Sequence, residues 1–232
     1  MNNNRTLPIP MHSAEIWLGL IFLPAQLFVL PGLLTLGNTL LPVPFSDAWV
    51  NFFFFLLNFL CIIGIFHRFL GKSLDYSLQN PGLCLFGALR GYIGYYAATL
   101  LVGIFITFAE PSFVNVNDQS ILSMTQDNFR IMAVGTVLLV PIVEEVLYRG
   151  VIFGGLYSKN KLLAYCVSTA VFSLVHIFGY IGAYEWKLLL LCFVQYLPAG
   201  ACLAWAYARS GSIFAPILIH TTVNALGIFA MR

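Results

Sequence analysis

Long apolar runs separated by short polar links fill most of this chain. A helix needs about 20 mostly apolar residues to cross a bilayer, and several runs approach or exceed that length. They are residues 16–41, 48–66, 82–108, 131–157, 162–183, 187–207 and 211–230. The pattern predicts an all-α, polytopic transmembrane helix bundle of about seven spans, with eight spans as the alternative.

The links between these runs are too short to fold as separate soluble domains. The longest covers about residues 109–130 and is acidic. We therefore expect an N-terminal region, 1–130, that holds spans one to three and this acidic loop. A core region, 131–232, holds spans four to seven.

Composition excludes an ordinary water-soluble fold. Of the 232 residues, 60% are hydrophobic and 9% are charged, whereas soluble domains carry about 25% charged residues. No basic patch suggests a nucleic-acid partner. The five cysteines are odd in number and lack the spacing of a disulfide set or a zinc motif, so we expect them to be small apolar packing groups.

Basic residues in the links predict the orientation of the bundle, because Lys and Arg concentrate on the cytoplasmic side. The links that share one side contain Arg5, Arg68, Lys72, Lys159, Lys161 and Arg209, and the opposite side contains Arg130, Lys187 and Arg232. The larger group predicts a cytoplasmic N-terminus and a C-terminus on the opposite side.

Several ionisable residues lie inside the predicted spans, where such a group costs roughly 3 kcal/mol at mid-membrane. They are Arg90 in span three, Glu144, Glu145 and Arg149 in span four, His176 in span five and His220 in span seven. A lone histidine in a span is often an interhelical hydrogen-bond partner, and a Glu–Arg pair on one helix is often a structural clip. The combination on three helices favours a functional site instead.

Other polar residues in the spans have simpler explanations. Arg90 lies near the end of its span, where its long side chain can reach the interface. Asn51, Asn58 and Gln195 are expected to serve helix packing.

Helix geometry places three of the ionisable groups at a similar depth. At 1.5 Å per residue, Glu144 lies roughly 20 Å, His176 about 21 Å and His220 about 14 Å from the cytoplasmic ends of their spans. Asn224 follows His220 by four residues and shares its helix face. We expect these four side chains to line one cavity.

The second glutamate of span four has a partner on its own helix. Glu145 and Arg149 are four residues apart, so they share a face and can pair. Glu144 is turned about 100° away from Glu145 and is free to point elsewhere.

A carboxylate and two imidazoles in a restricted cavity suit the activation of water for amide hydrolysis. The carboxylate acts as general base, and an imidazole shares the proton. An imidazole and an amide can donate hydrogen bonds to the oxyanion that develops on the attacked carbonyl. The same Glu, His and His also match the ligand count of a catalytic zinc. The Asn224 amide favours the metal-free version, but the sequence leaves both open.

Three short motifs resemble those of one family. "EEVLYR" at Glu144, "FSLVH" ending at His176 and "HTTVN" starting at His220 are similar to the EExxxR, FxxxH and HxxxN motifs of the CPBP family. This family comprises the CAAX proteases and bacteriocin-processing enzymes, also called the Abi family. The likeness covers about residues 131–228 and makes the core region, 131–232, a CPBP-like catalytic core.

The resemblance implies an α-helical intramembrane protease, glutamate-dependent or a metalloprotease. Carried over by motif position, Glu144 would activate water with His176, and His220 with Asn224 would stabilise the oxyanion. Glu145 and Arg149 would form a supporting pair. The cofactor is either none or a divalent metal such as zinc.

The expected partners are membrane lipid and a peptide or protein substrate that enters from the membrane or the cytoplasmic side. Eukaryotic members of the family carry a further span after the third motif, whereas this sequence stops at Arg232. We therefore expect a prokaryotic plasma-membrane protein engaged in peptide maturation or bacteriocin self-immunity. The alternative is a non-catalytic membrane protein, an immunity factor or small transporter, that uses the same polar cluster.

Overall fold

A computed structural model describes residues 7–230 as a bundle of α-helices. The helices are α1 (Ser13–Thr39), α2 (Asp47–Gln79), α3 (Pro81–Ala109), α4 (Val116–Asp127), α5 (Phe129–Tyr157), α6 (Lys161–Phe178), α7 (Trp186–Ser210) and α8 (Phe214–Ala230). Within that range the only β pairing is an isolated bridge, Ile181 with Tyr184. The all-α class is confirmed.

Six of the described helices, all except α4 and α8, are long and apolar enough to cross a membrane. The last helix, α8, is apolar but has 17 residues, which corresponds to about 25 Å of helix. The chain is a multi-pass membrane protein, as the apolar pattern predicts. Arg5 and Arg232, used in the orientation argument, lie outside the described residues.

Two span ends differ from the sequence prediction, which ended each span where polar residues begin, and the longest link is partly helical. α2 continues to Gln79 instead of 66, with a kink at Phe66 (φ −108°, ψ 16°). α6 ends at Phe178 instead of 183. The acidic loop contains a helix, α4, whose N-terminus is capped by the Asn115 side chain.

Prolines widen two of the spans locally. Pro31 follows a π-helical segment, Ala25–Val29, in α1, and Pro141 follows another, Gly135–Leu139, in α5. A proline ring clashes with the carbonyl four residues earlier and has no N–H to bond it. Both of those carbonyls lie within the π segments, which give the ring room. Such π segments recur at functional sites.

The most buried span is α5. In the most apolar 18-residue stretch of α5, 50% of the residues are buried in the protein, compared with 6% in the corresponding stretch of α3. A third π segment, Glu145–Phe153, is buried over its full length. α6, α7 and α8 pack around α5 and α3, while α1 and α2 contribute to the same apolar core. Polar residues of α5 are therefore held away from lipid.

Candidate active site

Three helices bring the first glutamate of α5 and two histidines together. Glu144 Oε2 lies 4.0 Å from His176 Nε2 on α6 and 3.9 Å from His220 Nε2 on α8. The side chains are between 8% and 16% exposed. Two atoms 4 Å apart can each lie about 2.8 Å from one water oxygen, so a single water can bridge these groups.

The far side of each imidazole is fixed by a hydrogen-bond acceptor. His176 Nδ1 donates to the Phe172 carbonyl at 2.8 Å, and His220 Nδ1 donates to Glu145 Oε1 at 2.8 Å. Because a neutral imidazole carries one N–H, these contacts place the proton on Nδ1. The lone pair of each Nε2 then faces Glu144.

The predicted pair of Glu145 and Arg149 is present and fully buried. Arg149 Nε lies 3.2 Å from Glu145 Oε2, and both side chains are 0% exposed. The contact joins two charges without hydrogen-bond geometry. Arg149 Nη2 also donates to the carbonyls of Ala199 and Gly200, each at 3.4 Å. The guanidinium carbon lies 4.2 Å from the ring centre of Phe172, so Arg149 joins α5 to α6 and α7.

Asn224 borders the same cavity but is partly engaged. Its Nδ2 donates to the Thr136 carbonyl at 2.8 Å, inside the π segment that precedes Pro141. An amide group has two N–H donors, so one of them is left for a ligand. Asn224 can therefore contribute at most one hydrogen bond to a developing oxyanion.

A cavity of about 440 Å³ lies against these side chains. Glu144, His176, His220 and Asn224 all line it, as the depth argument predicts. Arg90 is exposed on the outer face of α3 and does not line it. Cavities of this size accommodate small ligands or part of a peptide.

Asp118 is a cavity residue that sequence reasoning missed. It lies on α4, and Tyr196 Oη of α7 donates to its Oδ1 at 3.2 Å. The Tyr196 ring in turn packs on the His176 ring, with 4.2 Å between ring centres. Burial raises the pKa of the Asp118 carboxyl above its ordinary value, while the hydrogen bond from Tyr196 acts in the opposite direction.

Neighbouring amides hold α4 over the cavity. Asn115 Nδ2 donates to Gln195 Oε1 at 2.8 Å, and Asn117 Nδ2 donates to Tyr196 Oη at 3.0 Å. Gln195 thus serves helix packing, as expected. Its partner, Asn115, lies in the link of residues 109–130, for which the sequence predicts a loop.

Two buried amides from the N-terminal spans lie behind Glu144. Gln26 of α1 and Asn58 of α2 line a small pocket of about 40 Å³ together with Glu144. Within the described residues, Gln26 Oε1, Asn58 Oδ1 and Glu144 Oε2 have no hydrogen-bond partner. A water needs roughly 10–15 Å³, so solvent-sized space borders the glutamate on this side as well.

The donor set suits zinc, but its spacing does not. Tetrahedral zinc with bonds of about 2.0–2.1 Å holds its donors roughly 3.3 Å apart, whereas Glu144 Oε2 lies 4.0 and 3.9 Å from the two Nε2 atoms. Across residues 7–230, no three His, Cys, Asp or Glu side chains are arranged to hold a metal ion. The chemistry below is therefore derived from protein groups alone.

Comparison with known proteins finds a family match in the C-terminal half of the chain. Residues 126–226 match a family model described as type II CAAX prenyl endopeptidase Rce1-like. The "Putative membrane peptidase YdiL" of Bacillus subtilis (strain 168) is 35% identical over 109 residues, which are 47% of this chain and 40% of that protein. No solved structure matches significantly.

A second relative covers a similar share. The "UPF0177 protein YxdF" of Lactococcus lactis subsp. lactis (strain IL1403) is 30% identical over 95 residues, 41% of this chain and 47% of that protein. The similarity thus spans less than half the length of both curated relatives. The family match contains all the residues predicted from the three motifs, but it begins after Asp118.

Proposed function

We propose that this chain is an intramembrane endopeptidase that acts on a membrane-associated peptide or protein, because residues 126–226 match the family model of the type II CAAX prenyl endopeptidases. One observation carries the proposal: Glu144 Oε2 faces the Nε2 atoms of both histidines at 4.0 and 3.9 Å, at the wall of a cavity of about 440 Å³.

The first step is the activation of water. A water between Glu144 and His176 donates one hydrogen bond to the carboxylate and one to the imidazole Nε2. Glu144 takes the proton as general base while the water oxygen attacks the substrate carbonyl carbon. The breaking amide nitrogen later receives that proton from Glu144 and leaves as an amine.

Stabilisation of the oxyanion falls to α8. His220, when protonated, carries an N–H on Nε2 that can donate to the oxyanion, and the second N–H of Asn224 lies along the same helix face. Glu145 stabilises this protonated imidazole through its contact with Nδ1, at 2.8 Å. Donors fixed by their surroundings before the reaction contribute most to such stabilisation.

Glu145 and Arg149 act as supporting residues in this scheme. Both are fully buried and neither lines the cavity. Their role is to orient His220 and to join α5 to its neighbours, and no contact with substrate is required of them.

The access route depends on the orientation of the bundle. The cavity is lined by α4, which lies in the link predicted to face away from the cytoplasm. With a cytoplasmic N-terminus in a prokaryotic plasma membrane, the substrate enters from the membrane or from the non-cytoplasmic side. Entry from the cytoplasm, the sequence-based expectation, requires the opposite orientation.

The decisive experiment is a cleavage screen with the purified protein in detergent or nanodiscs. A library of single-span membrane peptides is incubated with wild type and with Glu144→Gln, and the products are identified by mass spectrometry. Wild type should generate defined fragments and Glu144→Gln none. Glu110→Gln, which alters a half-buried carboxylate paired with Lys187 outside the cavity, should cleave normally. Equal cleavage by the Glu144→Gln protein would exclude the proposed base. If wild type cleaves none of the peptides, the non-catalytic alternative is preferred.

A further inference from the structure

Among the described residues, the cavity wall contains carboxylates but no lysine or arginine to balance them. The two carboxylates are those of Glu144 and Asp118. Glu144 is occupied by its two histidines in the proposed reaction. Asp118, on the link helix α4, has no such task, although it is half-buried at the cavity wall.

Asp118 is presented to the cavity with part of its hydrogen-bonding capacity open. Asn115 fixes its backbone by accepting from the Asp118 N–H at 3.3 Å. Tyr196 donates to Oδ1 at 3.2 Å. An ionised carboxylate accepts about four hydrogen bonds, so Oδ2 and the remaining sites on Oδ1 can accept from a ligand.

The surroundings of Asp118 also suit a cation. The rings of Tyr95, Tyr180 and Tyr196 line the same cavity. Ammonium and guanidinium groups are attracted to aromatic faces as well as to carboxylates. A neutral or acidic side chain would gain neither interaction here.

A second, larger space adjoins the cavity, and its charged residues have the same sign. This outer groove of about 810 Å³ shares Asn51, Ser120, Met124 and Tyr180 with the cavity. It is lined by Asp47 and Asp127, and no described Lys, Arg or His lines it. Apart from the two histidines beside Glu144, the ionisable groups Asp47, Asp118, Asp127 and Glu144 of these two spaces are carboxylates, which attract positively charged ligands.

We propose that Asp118 is a specificity-determining residue that binds a basic side chain, lysine or arginine, of the substrate peptide close to the scissile bond. The proposal rests on the proposed endopeptidase function. Asp118 is one side chain away from His176 through Tyr196, so the basic residue would lie within a few positions of the bond that is cleaved. The outer groove would receive the rest of the cationic segment.

A charge-swap experiment tests the proposal. The peptide found in the cleavage screen is made N-acetylated, so that no free α-amine competes, with Lys, Gln or Glu at each position within three residues of the scissile bond. Wild type should prefer Lys at one position. Asp118→Asn should lower kcat/KM for that peptide by about tenfold, the scale of one charge-assisted hydrogen bond, and leave the Gln peptide unchanged. Asp118→Lys should prefer the Glu peptide.

The control is Asp75→Asn, an exposed aspartate of α2 outside both spaces, which should keep the wild-type preference. Equal kcat/KM for the Lys, Gln and Glu peptides, or an equal loss for all of them in Asp118→Asn, would overturn the proposal. The second pattern would show a structural role for Asp118.

A binding measurement separates this proposal from the proposed reaction. N-acetylated single-span peptides with Lys or Gln are titrated against Glu144→Gln protein and against Glu144→Gln with Asp118→Asn. Tighter binding of the Lys peptide that disappears with Asp118→Asn supports the specificity role even if no peptide is cleaved. Cleavage without any such difference would reject the role of Asp118 and leave the protease function standing.

Discussion

Glu145 lies between His220, which donates to its Oε1 at 2.8 Å, and Arg149, whose Nε is 3.2 Å from its Oε2. A carboxylate that the motif assigned to a supporting ion pair therefore also fixes the ring orientation of a proposed catalytic imidazole. Partners of this kind determine which nitrogen of a histidine carries the proton.

Replacement of Glu145 by Gln should separate orientation from charge. The amide oxygen can still accept from His220 Nδ1 and keep the ring orientation, but it lacks the charge that stabilises a protonated His220. We expect kcat to fall by about 10²-fold, at the lower end of general acid–base contributions, with KM little changed. Steady-state kinetics on the screened peptide measures the split. A rise in KM with kcat unchanged would place Glu145 in substrate binding instead.

Removal of Arg149 should cost stability as well as activity. Arg149→Ala leaves Glu145 buried without its counter-charge, and breaking a buried pair typically costs about 3–5 kcal/mol. Thermal unfolding in detergent should show a clear drop. Lys187→Ala, which removes an exposed partner of Glu110, is the control and should unfold like wild type. An inactive Arg149→Ala protein with unchanged stability would mean that Arg149 acts at the site directly.

The site was predictable from sequence where polar groups occur in apolar spans. Glu144, His176 and His220 stand out because an ionisable side chain is unfavourable in lipid, and helix rise places them at a similar depth. The Glu145–Arg149 pair followed from i,i+4 spacing. Each of these residues can be recognised as a candidate from the few residues around it in the sequence.

Asp118 and the continuation of α2 could not be predicted in that way. Polar residues are common in links, so the sequence does not mark Asp118 as a site residue. Its place at the cavity depends on the packing of α4 against α7, where Tyr196 donates a hydrogen bond to it. Arg68 and Lys72 predict the end of a span, but α2 continues through them to Gln79. Gln26 lies near Glu144 because α1 packs against α5. Such a long-range contact cannot be predicted from the spacing of residues along the chain.

Chelation should distinguish protein-based catalysis from metal catalysis. If Glu144 and His176 activate water alone, exhaustive chelation leaves the activity of the purified protein intact, and Glu144→Gln abolishes it. Bound metal is measured in parallel by mass spectrometry. Zinc near one atom per chain, lost together with activity on chelation or in His176→Ala and His220→Ala, would contradict the metal-free mechanism.

The orientation of the bundle can be decided by chemical labelling, which also decides from which side the cavity is reached. Ser123 is exposed on α4 beside the outer groove, whereas Lys159 is exposed in the link between α5 and α6 on the opposite side. In a variant with all native cysteines replaced, Ser123→Cys and Lys159→Cys are each treated in intact cells with a membrane-impermeant maleimide. The distribution of basic residues predicts a cytoplasmic N-terminus, so Ser123→Cys should react and Lys159→Cys should react only after the cells are opened. The acidic groove would then face the exterior, and cationic peptides would reach Glu144 from there. The reverse labelling pattern would overturn the predicted orientation and open the groove to the cytoplasm, the side from which the sequence alone led us to expect the substrate.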